Sequence, residues 1–389
     1  MKNNPRNSAY TKNFNRNLLI RIIHKEPLSR AELSRKTGLT RAAITKIVDE
    51  LVSEGIIIET GSAPSESGRK PILLDINPDS YYSGGLDITR ESCSFGLVNI
   101  RGELISRIEI DISNASSPNK ALNIIARDVS TSFKEVSADS GTFLGLGIST
   151  PGPVDVYSGK VLSPPNFRLW QNFKIVSELK KLLPWEIRLE NNSTALAMAE
   201  KHYGLGKKFD NFILLVVDTG IGSGIINCGK VYRGFGGFGS EIGHTSINFN
   251  GRLCSCGNVG CLETYASIPA ILDKCNKRGF KATSWQDIVN IAHSGKKQYL
   301  QIIKDEAKFL SAGIVNAINT LELEAVILTG FINYKPMLLL EKIQDYVNKH
   351  AITRDIHPVS IHISGISKNS DVIAAATIMF NFFLQEYYC

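Results

Sequence analysis

The residues best suited to chemistry in this 389-residue sequence are one histidine and three closely spaced cysteines. His244 is followed by Cys254, Cys256 and Cys261, with glycines between the last two cysteines that allow a tight turn. One imidazole and three thiolates form a complete tetrahedral set for structural Zn²⁺ and leave no position open for catalysis. Soft sulfur ligands argue against magnesium and calcium. The alternative is a loop of reduced, unliganded cysteines.

A second group of chemically informative residues lies on a predicted helix near the N-terminus, which Thr40 caps. Four apolar residues recur at helical spacing and predict its buried face: Ile44, Ile47, Val48 and Leu51. The remaining positions face outward and are candidates for contact with double-stranded DNA: Thr40, Arg41, Ala42, Thr45 and Lys46. Arg41 has the geometry to bind guanine, and Ala42 the size to touch a thymine methyl group.

The elements around this helix have the order of a known DNA-binding unit. Before it, helices are predicted from about Phe14 to His24 and after Ser29, where Glu32 completes a capping-box spacing. After it, two predicted strands enclose a tip that contains Arg69 and Lys70. Both are candidates for DNA contact, and Arg69 is the candidate for the adjacent minor groove. This order predicts a winged helix-turn-helix over residues 1–76. The alternative is a helical protein-interaction domain with a solvated basic face.

Charge and composition narrow the class of protein. Residues 1–75 contain 13 Lys and Arg against 8 Asp and Glu, in a chain whose net charge is +7. A basic end is typical of a module that binds a polyanion. The 43% hydrophobic content indicates a globular protein, and no apolar run approaches the roughly 18 residues of a membrane helix. The polar N-terminus lacks the apolar core of a signal peptide, so we expect a cytoplasmic protein without membrane contact.

Beyond residue 80, strands alternate with helices, which predicts two α/β lobes. Glycine-punctuated strands occupy the first part, and a last apolar helix is predicted from Asp371 to Gln385. We expect the first lobe to comprise residues 80–192 and 371–389, and the second lobe to comprise residues 193–370.

Several motifs of this body resemble the ROK family, whose name stands for repressors, open reading frames and kinases. The strongest are Glu-Ile-Gly-His at 241–244, CSCGNVGCLE at 254–263, GLGISTPGPVD at 145–155, Glu-Asn-Asn at 190–192 and DTGIGSG at 218–224. The resemblance covers about residues 14–385. It implies an actin-like, ribonuclease H-like fold of the hexokinase type, with two lobes around a sugar cleft.

The resemblance also implies where ligands bind. It assigns the zinc site to His244 and the three clustered cysteines, and it implies these sugar-binding residues: Asn166, Asn191, Asn192, Glu241, His244 and Glu263. Carboxylates, amides and an imidazole offer the paired donors and acceptors that sugar hydroxyls require. The alternative for Glu241 and Glu263 is a surface or helix-capping role, and for Asn166 a plain turn.

The sequence departs from the family's kinases at three places. The kinases' Asp-x-Gly-Gly-Thr loop for ATP phosphate is here Asp87 followed by Ile-Thr-Arg-Glu. Asn192 occupies the position of the catalytic aspartate, and a neutral amide does not accept a proton from a sugar hydroxyl. Thr329-Gly330-Phe331 replaces the Gly-Gly-Gly on the adenosine side. We therefore expect no enzymatic activity.

These patterns together predict a repressor of a carbohydrate-utilisation operon that sugar in the interlobe cleft releases from its operator. A homodimer or homotetramer would match a pseudo-palindromic operator. Two alternatives are an ATP-dependent sugar kinase with a fused DNA-binding domain and a repressor controlled by a protein partner. Xylose, glucose, N-acetylglucosamine and a β-glucoside all remain open as the effector.

Overall fold

A computed structural model describes residues 8–62, 71–90, 92–136, 141–165, 167–366 and 368–385. The chain divides into two compact units. The first contains Met1–Thr150, Asn166–Leu189 and Asp371–Cys389, and the second contains Pro151–Pro165 and Glu190–Ser370. Among the described residues, no helix is both long enough and apolar enough to cross a membrane.

The N-terminal part of the first unit forms three helices and a small sheet. In chain order its elements are α1 (Ser8–Lys25), β1 (Leu28–Ser29), α2 (Arg30–Thr37), α3 (Arg41–Ser53), β2 (Ile57–Ser62) and β3 (Ile72–Ile76). The strand order is β1-β3-β2, and both pairs are antiparallel. The predicted order of three helices and a hairpin is confirmed, although α1 begins earlier than predicted and β1 was not predicted.

Local sequence signals set the ends of α2 and α3. The Ser29 hydroxyl accepts a hydrogen bond from the Glu32 backbone N–H, and the Glu32 carboxylate accepts one from the Ser29 N–H at 2.8 Å. Gly38 then ends α2 with φ +72°, a left-handed conformation that glycine adopts without steric cost. The Thr40 hydroxyl accepts from the Ala43 N–H at 3.2 Å and caps α3. Both predicted caps are therefore confirmed.

The rest of the first unit is built on a five-stranded sheet. From Tyr81 to Asn191 the elements are β4 (Tyr81–Ile88), β5 (Cys93–Asn99), β6 (Leu104–Glu109), α4 (Pro118–Val136), β7 (Thr142–Thr150), β8 (Val154–Asp155), β9 (Lys160–Val161), α5 (Ile175–Leu179) and β10 (Ile187–Asn191). The strand order is β10-β7-β4-β5-β6. Strands β4, β5 and β6 are antiparallel neighbours, and β7 is parallel to β4. The short β8–β9 ribbon belongs to the second unit.

The second unit contains a sheet with the same topology. Its elements are α6 (Asn192–Tyr203), β11 (Phe212–Val217), β12 (Ile221–Asn227), β13 (Lys230–Tyr232), α7 (Glu263–Ala266), α8 (Ile268–Lys277), α9 (Trp285–His293), α10 (Lys297–Leu321), β14 (Ala325–Gly330), α11 (Met337–His350) and β15 (Ser360–Ile363). The last helix, α12 (Ser370–Gln385), belongs to the first unit from Asp371 onward. The strand order is β13-β12-β11-β14-β15. Numbered along the chain, the strands of each sheet are ordered third, second, first, fourth, fifth.

Helices cover both faces of the second sheet, which explains the unbroken apolar run of β11. Ile213 and Leu215 pack into the large core that α8 to α11 form on one face. Phe212 and Leu214 pack on the opposite face against Ala197 of α6. Alternate residues of this strand therefore enter two different cores.

Glycines in the first sheet allow α12 to lie directly on its strands. A Cβ atom on Gly85 would stand 2.0 Å from the Val372 carbonyl oxygen. One on Gly147 would stand 1.9 Å from the Ala375 carbonyl oxygen. Any larger side chain at either position would displace the helix. The glycine punctuation of β4 and β7 is thus a packing requirement.

Candidate functional site

The outer face of α3 is free for a ligand, as the apolar pattern predicts. Ile44, Val48 and Leu51 are fully buried, whereas Arg41 and Lys46 are exposed. Ala42 and Thr45 are exposed on the same face, and the Thr45 hydroxyl donates to the Arg41 carbonyl at 2.9 Å. In the described part of the chain, no ion pair involves Arg41 or Lys46.

Acidic residues toward the end of α3 are paired with cations from neighbouring elements. Glu50 lies 2.9 Å from the Lys12 ammonium, and Asp49 lies 2.9 Å from the Arg30 guanidinium. Glu54 binds Arg16 through two hydrogen bonds. These pairs offset the negative charge, so the N-terminal half of α3 remains the basic end. Arg69 and Lys70, the candidates at the wing tip, lie outside the described residues.

Arg101 connects the helix-turn-helix to the sheet of the first unit. Arg101 lies in the turn between β5 and β6, and its Nη1 donates to the His24 carbonyl oxygen at 2.9 Å. The same guanidinium forms an ion pair with Asp75 on β3. The link therefore reaches both the end of α1 and the wing. Nothing in the sequence pattern predicted it.

The predicted metal ligands come together in the second unit. The ligand atoms of His244, Cys254, Cys256 and Cys261 all lie within 4.8 Å of one another. The Cys254 Sγ is 3.6 Å from His244 Nδ1, and the Cys256 Sγ is 3.7 Å from the Cys261 Sγ. With Zn–S near 2.3 Å and Zn–N near 2.0 Å, a tetrahedron has S···S edges of about 3.8 Å and S···N edges of about 3.5 Å. The donor set therefore fits a tetrahedral metal ion.

The loop that carries the cysteines depends on glycine. Gly257 and Gly260 have φ of +91° and +76°, and a Cβ on Gly260 would stand 1.8 Å from the Asn248 carbonyl oxygen. Burial raises the pKa of the Cys261 thiol to about 12, whereas the Asn258 backbone N–H lowers the pKa of Cys256. A dication at the centre of the cluster favours the thiolate form of every ligand.

Asn191 combines a structural contact with a free donor group. Its Oδ1 caps α6 by accepting from the backbone N–H groups of Ser193 and Thr194, at 2.9 and 3.3 Å. Its Nδ2 points toward Gly152, where a Cβ atom would stand only 2.5 Å away. A glycine at position 152 therefore keeps the space beside this amide open.

Two carboxylates lie near the same space. Glu263 Oε2 accepts from the Ile221 N–H at 2.9 Å, which fixes its orientation. Glu241 Oε1 lies 3.9 Å from the position of a Cβ on Gly152, beside Asn191. Desolvation raises the pKa of Glu241, His244 opposes this rise, and the negative charge of Glu263 adds to it. These mutual effects are those of neighbouring groups in one polar cluster.

Four of the six residues expected to bind sugar are thus gathered in one part of the second unit: Asn191, Glu241, His244 and Glu263. Asn192 is half-buried next to them, and its Oδ1 accepts from the Ser193 N–H at 2.8 Å. Asn166 lies outside the described residues. Two carboxylates, an amide and an imidazole can form paired hydrogen bonds with vicinal hydroxyl groups.

Comparison with known proteins identifies the family. The sequence profile of the ROK family matches residues 83–381, which is more than half of the chain. The chain belongs to the ROK family. A profile for a winged helix-turn-helix DNA-binding unit matches residues 13–58.

Curated proteins similar to this ROK chain include several repressors. It is 30% identical over 387 residues to the xylose repressor of Caldicellulosiruptor bescii, across 96% of this chain and 97% of that one. It is 30% identical over 378 residues to the xylose repressor of Bacillus subtilis, with 97% of each chain covered. NagC of Escherichia coli, a DNA-binding transcriptional dual regulator, is 25% identical over 359 residues and covers 89% of this chain and 87% of its own.

Solved structures agree with the family assignment. The crystal structure of a ROK family transcriptional regulator, a homologue of the Escherichia coli MLC protein, matches with a TM-score of 0.81 at 27% identity, over 96% of this chain and 97% of that chain. The ROK hexokinase of Thermus thermophilus matches with a TM-score of 0.65 at 23% identity, over 76% of this chain and 97% of its own. The predicted fold class, a winged helix-turn-helix followed by a hexokinase-type ROK body, is confirmed.

The segment that begins at Asp87 makes hydrogen bonds within the first unit. Asp87 is buried and accepts from the Ser149 hydroxyl, and burial raises its pKa to about 7. The Thr89 backbone N–H donates to the Ser92 carbonyl at 2.8 Å. That N–H is therefore occupied within the loop.

Sequence reasoning missed two residues that support the polar cluster. The Arg233 Nη2 and Nε donate to Glu190 Oε2 at 2.7 and 3.0 Å, and Glu190 is buried directly before Asn191. Burial raises the pKa of Glu190, and the Arg233 charge opposes that rise. Gly152 lies within one of the family motifs, but only the folded chain shows that a side chain at this position would collide with the Asn191 amide. Neither role had a signal in spacing or composition.

Proposed function

We propose that this ROK protein is a sugar-responsive transcriptional repressor of a carbohydrate-utilisation operon. The observation that carries the proposal is the presence, in one chain, of a helix with an exposed basic face and a cluster of carboxylates, amide and imidazole. Relatives named xylose repressors align over nearly their whole length, through both of these parts. Xylose is therefore the first effector to test. The protein acts in the cytoplasm, where its operator is found.

In this proposal α3 enters the major groove of double-stranded operator DNA. Arg41 and Ala42, at its N-terminal end, contact bases. Thr40, Thr45 and Lys46 contact the backbone, which sets the position of the helix without specifying sequence. Arg69 and Lys70 at the wing reach the adjacent minor groove. Two winged helices of a homodimer or homotetramer bind the two halves of the operator.

The effector sugar binds the polar cluster of the second unit. Asn191, Glu241 and Glu263 supply the donors and acceptors for adjacent hydroxyl groups. His244 donates from the ring nitrogen that does not face Cys254, and Asn192 and Asn166 complete the set.

The division into a DNA-binding domain (1–76), a first lobe (80–192 and 371–389) and a second lobe (193–370) belongs to the same proposal.

The cysteine cluster holds a structural Zn²⁺ ion. His244, Cys254, Cys256 and Cys261 are its ligands, as the donor types and the spacing of their ligand atoms support. The ion fixes the ring orientation of His244. In that orientation, the ring nitrogen that does not bind the metal faces the sugar. Its role is to order the loop and not to take part in a reaction.

The protein has no kinase activity in this proposal. Asn192 offers no base at the position of the kinase aspartate, and the loop after Asp87 uses its own backbone N–H internally. Incubation with Mg-ATP and a panel of hexoses and pentoses should consume no ATP above background. Turnover with any of these sugars would favour the alternative, a kinase with a fused DNA-binding domain.

The decisive experiment is a titration of the operator complex with sugars at one fixed salt concentration, because phosphate contacts make DNA affinity depend on salt. We expect one sugar to release the DNA with a roughly 5- to 150-fold fall in affinity, equivalent to about 1–3 kcal/mol of coupling. L-sugars of the same composition serve as controls. If no sugar acts but a cell extract does, control by a protein partner replaces this proposal.

A further inference from the structure

Three aromatic side chains of the second unit are exposed on two segments that lead, along the chain, to residues of the polar cluster. Phe235 is fully exposed, Tyr157 is 74% exposed and Phe238 is 46% exposed. We call these three residues the aromatic rim. Exposed rings of this size are unusual on a soluble surface when they are grouped, and such groups mark places where a ligand or partner covers them.

The two phenylalanines lie on a glycine-rich loop that is fixed at its base. Gly239 N–H donates to the Arg233 carbonyl at 2.8 Å, which closes the loop. Arg233 itself is held by the buried Glu190, and the Ser240 carbonyl accepts from the Ser223 hydroxyl. Between these anchors the sequence is Gly-Phe-Gly-Gly-Phe, so the backbone around both rings has wide conformational freedom.

The rim is connected along the chain to the proposed sugar site on two sides. The loop leads directly into Glu241, and its anchor Glu190 directly precedes Asn191. A Cβ on Gly237 would lie 3.5 Å from Val156 and 3.8 Å from the Tyr157 ring, so the loop touches segment 151–157. The same segment carries Gly152, which faces Asn191 and Glu241. The rim and the polar cluster therefore share one segment and one loop.

The chemistry of the rim defines what it can bind. Residues 234–239 carry no charged side chain, so they provide no ion pair for a sugar phosphate or a uronic acid. Aromatic faces bind the apolar face of another ring, and carbohydrate rings present such C–H faces. The polar cluster already supplies hydroxyl ligands for one sugar. We propose that the aromatic rim binds a second ring on the effector, so that the preferred effector is a neutral glycoside and not a free monosaccharide.

This inference rests on the proposed function, and it is tested by calorimetric titration of the full-length protein. The probes are xylose, glucose and N-acetylglucosamine, their β-1,4-linked disaccharides, and their phenyl β-glycosides. We expect at least one two-ring ligand to bind about tenfold more tightly than its monosaccharide. A gain with the disaccharide identifies the second ring as a sugar, and a gain with the phenyl glycoside alone identifies it as an apolar aglycone. Equal affinities for one-ring and two-ring ligands would overturn the inference.

Substitutions in the rim separate contact with a second ring from a general effect on the sugar site. Phe235→Ala and Phe238→Ala should remove most of the two-ring gain and leave monosaccharide affinity within twofold. The matched control is Phe249→Ala, because Phe249 is 83% exposed in the same unit but lies outside the rim. An equal loss for both ligand sizes, or the same loss in the control, would contradict the assignment. So would a change of oligomer size in light scattering without a change of affinity, since the rim would then be a protein interface.

The same titrations distinguish the inference from the function it rests on. If monosaccharides bind and release DNA but two-ring ligands gain nothing, only the aromatic rim is misassigned. If no ligand of the panel binds the unmodified protein, the sugar site itself is wrong and the inference falls with it.

Discussion

At the scale of single residues, the chemistry of this protein depends on side chains whose freedom is limited by one neighbour each. The side-chain oxygen of Asn191 caps α6, which leaves its NH₂ group to donate to a ligand. Glu263 is oriented by a hydrogen bond from the Ile221 N–H. His244 faces Cys254 with one ring nitrogen only. Each residue therefore presents a defined donor or acceptor, which is what recognition of a polyol requires.

The first residue-scale prediction concerns Arg41. Arg41→Ala should weaken operator binding by about 1–3 kcal/mol and relax the preference at one base pair, because a bidentate contact to guanine would be lost. The measurement is the dissociation constant on a set of operator variants at fixed salt. Lys46→Ala is the control. It should weaken binding to all operator variants equally and reduce the slope of log affinity against log salt concentration by about one. An unchanged site preference for Arg41→Ala would refute base reading by this residue.

The second concerns the metal cluster. Cys256→Ser should lose bound zinc and lower the melting temperature, because one of four ligands is removed and the loop loses its centre. Elemental analysis of the purified protein measures the metal directly. Cys228→Ser, at an exposed cysteine outside the cluster, should change neither quantity. Full metal content in the Cys256 variant would show that this thiol is not a ligand.

The third concerns Glu241. Glu241→Gln should leave DNA binding intact and weaken the sugar response, whereas Glu341→Gln on α11 should change neither DNA binding nor the sugar response. Desolvation raises the pKa of Glu241, so its carboxylate takes up a proton at a higher pH than an ordinary glutamate. Sugar affinity should therefore fall as the pH is lowered through that raised pKa, and the glutamine variant should lack this dependence. Identical pH profiles for both proteins would contradict the assignment.

At the scale of elements, much of the N-terminal region followed from sequence because its signals are local. The Ser29 and Thr40 caps and the buried stripe of α3 depend on residues within one or two helical turns. Strand β1 could not be predicted, since its two residues are extended only because β3, more than forty residues later, pairs with them. The contact of Gly85 with α12 joins residues almost three hundred positions apart, so the sequence predicted a strand but not its role.

The glycine contacts under α12 give a stability prediction. Gly147→Ala should reduce the free energy of unfolding by about 1–3 kcal/mol or more, because the new methyl group must displace the Ala375 backbone. Gly365→Ala is the matched control, since a Cβ there meets nothing within 4 Å. It should change stability by less than about 0.5 kcal/mol. Chemical denaturation of both variants makes the comparison, and equal stabilities would disprove the proposed close packing.

At the scale of the whole molecule, the two sheets share one topology, although the sequence contains no visible repeat. Candidate metal ligands could be named from the sequence, because a histidine and three closely spaced cysteines form a tetrahedral donor set. Candidate sugar ligands could be named only from the resemblance to the ROK family. The supporting residues Arg233 and Gly152 could not, because an arginine and a glycine have many uses and only the folded chain selects one. What sequence cannot supply is the pairing of distant residues.

Arg101 provides the test at this scale. Its guanidinium connects the first sheet to α1 and β3. Under the proposed function, we expect this connection to transmit the effect of sugar binding to α3. Arg101→Ala should retain operator affinity without sugar and lose most of the sugar-induced release. Arg127→Ala, at an exposed position of α4 beside Asp128, is the control and should behave like the unmodified protein. A full sugar response in a folded Arg101 variant would exclude this route.

The position of His244 has a practical consequence. Its imidazole belongs to the cysteine cluster and also acts electrostatically on Glu241. If the cluster holds zinc as proposed, stripping the ion with a chelator during purification would release that ring from its fixed orientation. The resulting preparation would still bind its operator but would not respond to the sugar. It would then be mistaken for a regulator that has no small-molecule effector.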